Sequence, residues 1–263
     1  MLSKRIIPCL DVKDGRTVKG VHFEQLRDVG DAVDLGRHYA LQGADELVYL
    51  DISASQEGRS TFTRLVERVA DAIHIPLTVG GGISSLDDAA RLLDAGADKV
   101  SINSAALARP ELIDEIASRY GSQFVVVAID ARHEPLADGD EEAEAEAHWT
   151  VCTHGGTRPT SHELFSWARE AEQRGAGEIL FTSMNHDGTR NGYPVSTYRR
   201  LTSLLHIPVI ASGGAGNADN VAEVLQQGQA DAALVAGILH DGITTIPELK
   251  TELHNRGICV RIL

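Results

Sequence analysis

Two aspartates, Asp11 and Asp130, each stand at the end of a short apolar run, RIIPCLDV (5–12) and FVVVAID (124–130). If those runs are the first and fifth strands of a (β/α)8 barrel, they face each other and both carboxylates open on one mouth, where the chemistry of such barrels sits. Carboxylates so placed can act as general base and general acid on one substrate. Asp is also common after strands, where it caps the following loop, so either residue alone says little. Their matched places in an internal repeat favour chemistry.

Glycine clusters follow two other runs. Gly80-Gly81-Gly82 ends the third, and Gly213-Gly214 ends the seventh. Glycine lets a backbone approach a ligand and turn its N–H groups toward an anion. A lone cluster is usually a tight turn. Two at repeat-related positions, flanked by Ser101-Ile102-Asn103-Ser104 and by Ala236-Gly237, predict a substrate with a phosphate at each end. Asp187-Gly188-Thr189 after the sixth run turns the chain or holds ligand hydroxyls and phosphate. Lys19 lies in a long segment, Lys13 to Asp31, with glycines at 15, 20 and 30; the segment reads as a mobile loop able to close over substrate, and Lys19 by spacing alone as a solvated lysine. The 11 histidines show no HExxH pattern and no metal-ligand spacing, so no metal and no cofactor is expected.

These residues need a frame. Eight short apolar runs alternate with amphipathic stretches: 5–12, 46–52, 76–81, 99–103, 124–130, 178–183, 208–214 and 232–236. Short runs rich in Val, Ile and Leu read as strands buried on both faces, as in a parallel sheet. Helical patterns lie between them, among them Leu86–Ala95, Pro110–Tyr120, His162–Arg174 and Ala218–Gln227. Ser85 and Asp88 suggest a capping box, and Gly43, Gly96, Gly175 and Gly228 mark helix ends. The chain repeats: GADELVYLD (43–51) matches GAGEILFTS (175–183), and IPLTVGGGIS (75–84) matches IPVIASGGAG (207–216). The prediction is one (β/α)8 barrel over 1–263, built from two similar half-barrels of about 1–121 and 122–263. An acidic insertion at about 132–147 reads as a solvated loop, and HWTVCT beyond it as an extra strand.

Composition narrows the partners. The 263 residues carry a formal charge of -14, which repels nucleic acid and anionic membranes. The 3 cysteines fit no disulfide, zinc or redox spacing, and the first residues lack a signal-peptide core. The expectation is a cytoplasmic protein with neither membrane nor nucleic-acid partner.

KRIIPCLDV followed by KG, GADELVYLDISAS, VGGGI, GADKVSINSAAL, VAID, MNHDGTRNGY and IASGGAGN together resemble the cyclase subunits of imidazole glycerol phosphate synthase, along nearly the whole chain. The resemblance implies an enzyme of histidine biosynthesis. It implies ammonia from a glutaminase partner, attacking phosphoribulosyl formimino aminoimidazole carboxamide ribotide. The products would be imidazole glycerol phosphate and aminoimidazole carboxamide ribotide. It implies that Asp11 and Asp130 are the acid–base pair. Lys19, Gly82, Asn103, Ser104, Thr182, Asp187, Gly188, Gly213, Gly214, Ala236 and Gly237 would hold substrate. Arg5, Glu46, Lys99 and Glu178, charges at strand starts that spacing alone reads as solvated, would form a salt-bridged ammonia gate. Asp98 would touch the glutaminase. Asn185, Pro194 and Gly237 depart from the family's usual residues. Two other readings stay open: the related isomerase of the same pathway, and a non-catalytic phosphosugar-binding barrel.

Overall fold

Alternation along the first strand sets the architecture. In the computed structural model, Ile6, Leu10 and Val12 of β1 (Arg5–Lys13) join the large core beneath the helices, whereas Ile7 and Cys9 join a second, smaller core. Successive side chains of a strand point to opposite faces, so Arg5, Ile7, Cys9 and Asp11 share the inner one. The structure describes residues 2–13, 15–21, 24–52, 56–134, 144 and 146–262, with backbone alone at 19–21, 24–28 and 56–61.

Eight parallel strands close on themselves: β1, β4 (Leu47–Asp51), β5 (Leu77–Gly80), β6 (Lys99–Ile102), β7 (Val125–Arg132), β10 (Glu178–Ser183), β11 (Val209–Ser212) and β12 (Ala232–Val235). Pairing of β10 with β7 and of β12 with β1 shuts the ring, giving the predicted (β/α)8 barrel. Its interior is filled by Ile7, Cys9, Val48, Val126, Leu180, Ile210, Ala232 and Leu234. The helices around it are α1 (Ala32–Leu41), α2 (Gln56–Ala70), α3 (Leu86–Asp94), α4 (Ser104–Ala108), α5 (Glu111–Tyr120), α6 (Leu164–Gln173), α7 (Val195–Leu204), α8 (Ala218–Gln226), α9 (Gly237–His240) and α10 (Ile246–Asn255). Among the described residues, no helix is long and apolar enough to cross a membrane.

The structure corrects the sequence reading at three places. Where the sequence reading has a mobile loop, residues 16–21 and 24–31 are strands: β2 (Arg16–Val21) pairs with β3 (Glu24–Asp31) and runs antiparallel to β1, with Asp11 opposite Val18. The pattern at 162–174 yields a helix only from Leu164. Residues before it form β9 (Arg158–Glu163), paired to β8 (Thr150–Thr153), and Glu163 caps α6 by accepting from Ser166 N at 2.9 Å. The Ser85 cap holds, with Asp88 N donating to Ser85 Oγ at 3.1 Å. The Asp88 carboxylate, however, accepts from Ser84 N, so the reciprocal bond falls one residue early. Gly43, Gly96, Gly175 and Gly228 stand at helix ends as the sequence reading has them; the first three take positive φ, and beyond α8 Gln229 does so. Gly228 is confined instead by space, since a Cβ there would lie 2.6 Å from Val224 O.

The extra strand expected in HWTVCT is β8, antiparallel to β7, with Asp130 opposite Cys152. The first strand of each repeat therefore carries an antiparallel hairpin at its C-terminal end. The solvated-loop expectation for the acidic insertion falls mainly on residues 135–143 and 145, outside the described residues.

Candidate active site

The same inner face that carries Ile7 and Cys9 delivers Asp11 to the barrel mouth, and on β7 the face of Val126 and Ala128 delivers Asp130. Both carboxylates line one cavity of about 840 Å³. Asn103 Nδ2 donates to Asp130 Oδ2 at 3.0 Å, and Thr182, its register partner on β10, also hydrogen-bonds it. Burial pushes the Asp130 carboxyl up to about 6, with the nearby Asp187 charge adding to the rise and the two hydrogen bonds opposing it. The carboxyl therefore changes charge near pH 6, above the ordinary range of an aspartate.

Gly82, Asn103, Ser104, Thr182, Asp187, Gly188, Gly213, Gly214, Ala236 and Gly237 line this cavity too. Two of its turns demand glycine. Gly81 has φ 99°, and a Cβ on it would lie 2.2 Å from Asp51 O; Gly214 has φ 126°, and a Cβ would lie 2.0 Å from Gly192 O. The turns after β5 and β11 thus press backbone against backbone beside the cavity. His154 N, in the turn between β8 and β9, donates to Ser104 Oγ at 3.2 Å and ties that hairpin to the Asn103 side. On the other side, Tyr198 of α7 accepts from Ser212 N at 3.0 Å and reaches Phe181 O at 2.8 Å, fixing β10 to β11 beneath the second glycine turn. Lys19 lies on β2 opposite Arg27; its side chain falls outside the described residues.

Sequence reasoning passed over Arg190 and Asp241, which line the cavity and hydrogen-bond each other. Arg190 sits in the quoted segment MNHDGTRNGY, but a single basic residue in a polar loop carries no periodic signal. Asn185 is not among the residues lining the cavity and exchanges hydrogen bonds with the His133 backbone at 3.1 Å.

At the opposite end of the barrel four charges form a closed ring. Arg5 Nη1 lies 2.9 Å from Glu46 and 3.1 Å from Glu178, and Lys99 Nζ lies 2.8 Å from Glu46 and 3.1 Å from Glu178. The solvated reading of these charges fails for a structural reason. They stand in phase with the inner faces of β1, β6 and β10, and at the entry to β4, so they converge over the apolar lumen. Glu46 is buried and also accepts from Thr78 Oγ1 at 2.5 Å. Asp98 is exposed on this face and accepts from Leu77 N at 2.8 Å, which gives it a structural bond whatever docks there. Among the described residues no group of three His, Cys, Asp or Glu could hold a metal ion.

Comparison with known proteins fits this geometry. The family model described as "Histidine biosynthesis protein" matches residues 5–245. "Imidazole glycerol phosphate synthase subunit HisF" of Phocaeicola vulgatus is 57% identical over 262 residues, covering 100% of both chains. The subunits of the same name from Azobacteroides pseudotrichonymphae, at 56% identity, and Anoxybacillus flavithermus, at 55%, cover 99% of this chain and 100% of their own.

Proposed function

The chain belongs to the histidine-biosynthesis family and within it is a cyclase subunit of imidazole glycerol phosphate synthase; from that premise we propose that Asp11 and Asp130 are its acid–base pair. The observation that carries this is their shared cavity, lined at its two sides by the Gly82–Asn103–Ser104 and the Gly214–Gly237 groups.

The substrate in this reading is phosphoribulosyl formimino aminoimidazole carboxamide ribotide, one phosphate lying against each group. Ammonia is the nucleophile. A neutral amine that attacks a carbon centre must lose a proton, and the amine that leaves must gain one, so the reaction needs a base and an acid in reach of one ligand. Asp130, whose carboxyl holds a proton up to about pH 6, suits the donor role, and Asp11 the acceptor role. Asn103 positions Asp130 from the junction of β6 and α4, while Thr182 steadies it from β10. The hairpin β2–β3 carries Lys19 on the strand beside Asp11 and can cover the ligand and exclude water. Imidazole glycerol phosphate and aminoimidazole carboxamide ribotide leave as products, in the cytoplasm.

The partner subunit is a glutaminase, docked at the face that holds Asp98. Its ammonia enters at the ring of Arg5, Glu46, Lys99 and Glu178 and crosses the apolar lumen. A dry route matters because ammonia in neutral water becomes ammonium and loses its nucleophilic lone pair.

The test is turnover of the open-chain substrate with ammonium salt and no partner. Ring closure supports the reading. Isomerisation of the precursor in place of ring closure would assign the related isomerase activity, and binding without turnover would leave a phosphosugar-binding barrel.

A further inference from the structure

The cavity is acidic. Asp11, Asp130, Asp187 and Asp241 line it, and Arg190 is the one Lys or Arg among its described lining residues. A ligand with two phosphates meets four carboxylates there, so a cation in reach has a large share in holding it. Arg190 is placed at one side only. Its Nη2 is the nearest atom to the point where a Cβ on Gly237 would lie, 3.9 Å away.

The backbone that aims Arg190 is fixed. Arg190 has φ 61°, a conformation non-glycine residues rarely take. Its carbonyl oxygen lies 2.1 Å from where a Cβ on Gly216 would stand, so the two backbones are in close contact. Gly192 N donates to Gly214 O at 2.9 Å, and Thr189 Oγ1 donates to His186 O at 2.8 Å. Arg190 is therefore strapped to the turn that carries Gly213 and Gly214. Its guanidinium hydrogen-bonds the Asp241 carboxylate just beyond α9. The pair is open to solvent, with side-chain exposures of 45% and 22%, and an ion pair in that setting is weak enough to rearrange when a dianion arrives.

We propose that Arg190 is the cation of the phosphate site on the Gly214–Gly237 side, and that Asp241 is its counter-ion, which orients the guanidinium when no phosphate is bound and competes with phosphate for it. The proposal rests on the two-phosphate ligand of the preceding reading and adds an asymmetry: on the Gly82–Asn103 side, the described lining residues include no basic side chain. Arg suits the task because its planar fork can serve a carboxylate and a phosphate oxygen together.

A structural latch and a competing counter-ion differ in sign. Arg190→Gln should raise KM for the open-chain substrate roughly 10-fold or more, the loss of a charge-assisted contact, with kcat little changed. Asp241→Asn should lower KM severalfold, because the competing charge is gone and the guanidinium remains. Arg190→Lys should fall between wild type and Arg190→Gln. Calorimetric titration with inorganic phosphate separates this proposal from the reaction. Wild type should bind at two sites, Arg190→Gln should weaken one of them roughly 10-fold, and Asp241→Asn should tighten the same one. Unchanged phosphate binding in Arg190→Gln, or shifts of the same sign in both variants, would overturn the proposal even in an active enzyme. The predicted phosphate shifts in a chain without ring-closing activity would uphold it while the functional reading failed.

Discussion

Asn103 Nδ2 donates to Asp130 Oδ2 at 3.0 Å across the β6–β7 seam, while its own Oδ1 is buried without a hydrogen-bond partner. The amide is thus committed to the carboxylate and leaves an acceptor unpaired beside it. A donor to an ionised carboxylate favours the charged form. Replacing Asn103 by Ala should shift the Asp130 inflection in the kcat/KM pH profile upward from about 6. A downward or absent shift would mean that this bond does not act on the titrating group.

Asp11→Asn and Asp130→Asn should each reduce ammonia-dependent turnover by roughly 100-fold or more, the range for a positioned acid or base. Each substitution keeps shape and removes proton transfer. Steady-state assays of the purified variants decide it, and near wild-type rates in either would remove that residue from the acid–base pair.

Asp130 also bears on stability. Its folded pKa, about 6, lies above the ordinary 3.8, so ionisation is disfavoured in the fold. That cost is absent below the unfolded value and complete above the folded one, so it grows as pH rises from about 4 to about 6. Asp130→Asn should therefore stabilise the protein at neutral pH by on the order of 1–3 kcal/mol, and by little near pH 4. Denaturant melts at the two pH values would show it. Equal effects at both would mean that burial does not strain this carboxylate.

Lys99→Ala or Glu46→Ala should uncouple glutamine hydrolysis from product formation in the two-subunit complex, since each breaks two of the ring's contacts. Ammonium-dependent turnover should survive, because the mouth is untouched. Glu46→Ala should also cost stability, as it leaves Arg5 and Lys99 only Glu178 to share; a pair so broken loses about 3–5 kcal/mol when fully buried and less here. The readout is glutamate formed per imidazole glycerol phosphate. A ratio near one in both variants would make the ring structural.

A crystal soaked in phosphate should show one anion beside Gly82, Asn103 and Ser104 and another beside Gly188, Gly214 and Gly237. Density at neither position, or only on the ring face, would contradict the two-phosphate reading.

The sequence by itself determined the barrel and the residues at its mouth. Strands buried on both faces must be apolar throughout, so each leaves a continuous run. A turn that presses backbone on backbone, as at Gly81 and Gly214, can only be glycine, so it too is visible as a residue type. Asp11 and Asp130 could be named because strand ends and an internal repeat are both one-dimensional features. Three matters needed the tertiary structure. The hairpin β2–β3 and the strand β9 are polar segments whose pairing partners, not their composition, make them strands, whereas the apolar pair in β8 is legible in the sequence. The ring of Arg5, Glu46, Lys99 and Glu178 is implied by the family resemblance but not by spacing: it exists because barrel closure brings four strand starts over one lumen, and along the chain each is a charge beside an apolar run. Arg190 and Asp241 meet because the loop after β10 folds toward the end of α9. These pairings join residues far apart in the chain, so no local spacing encodes them.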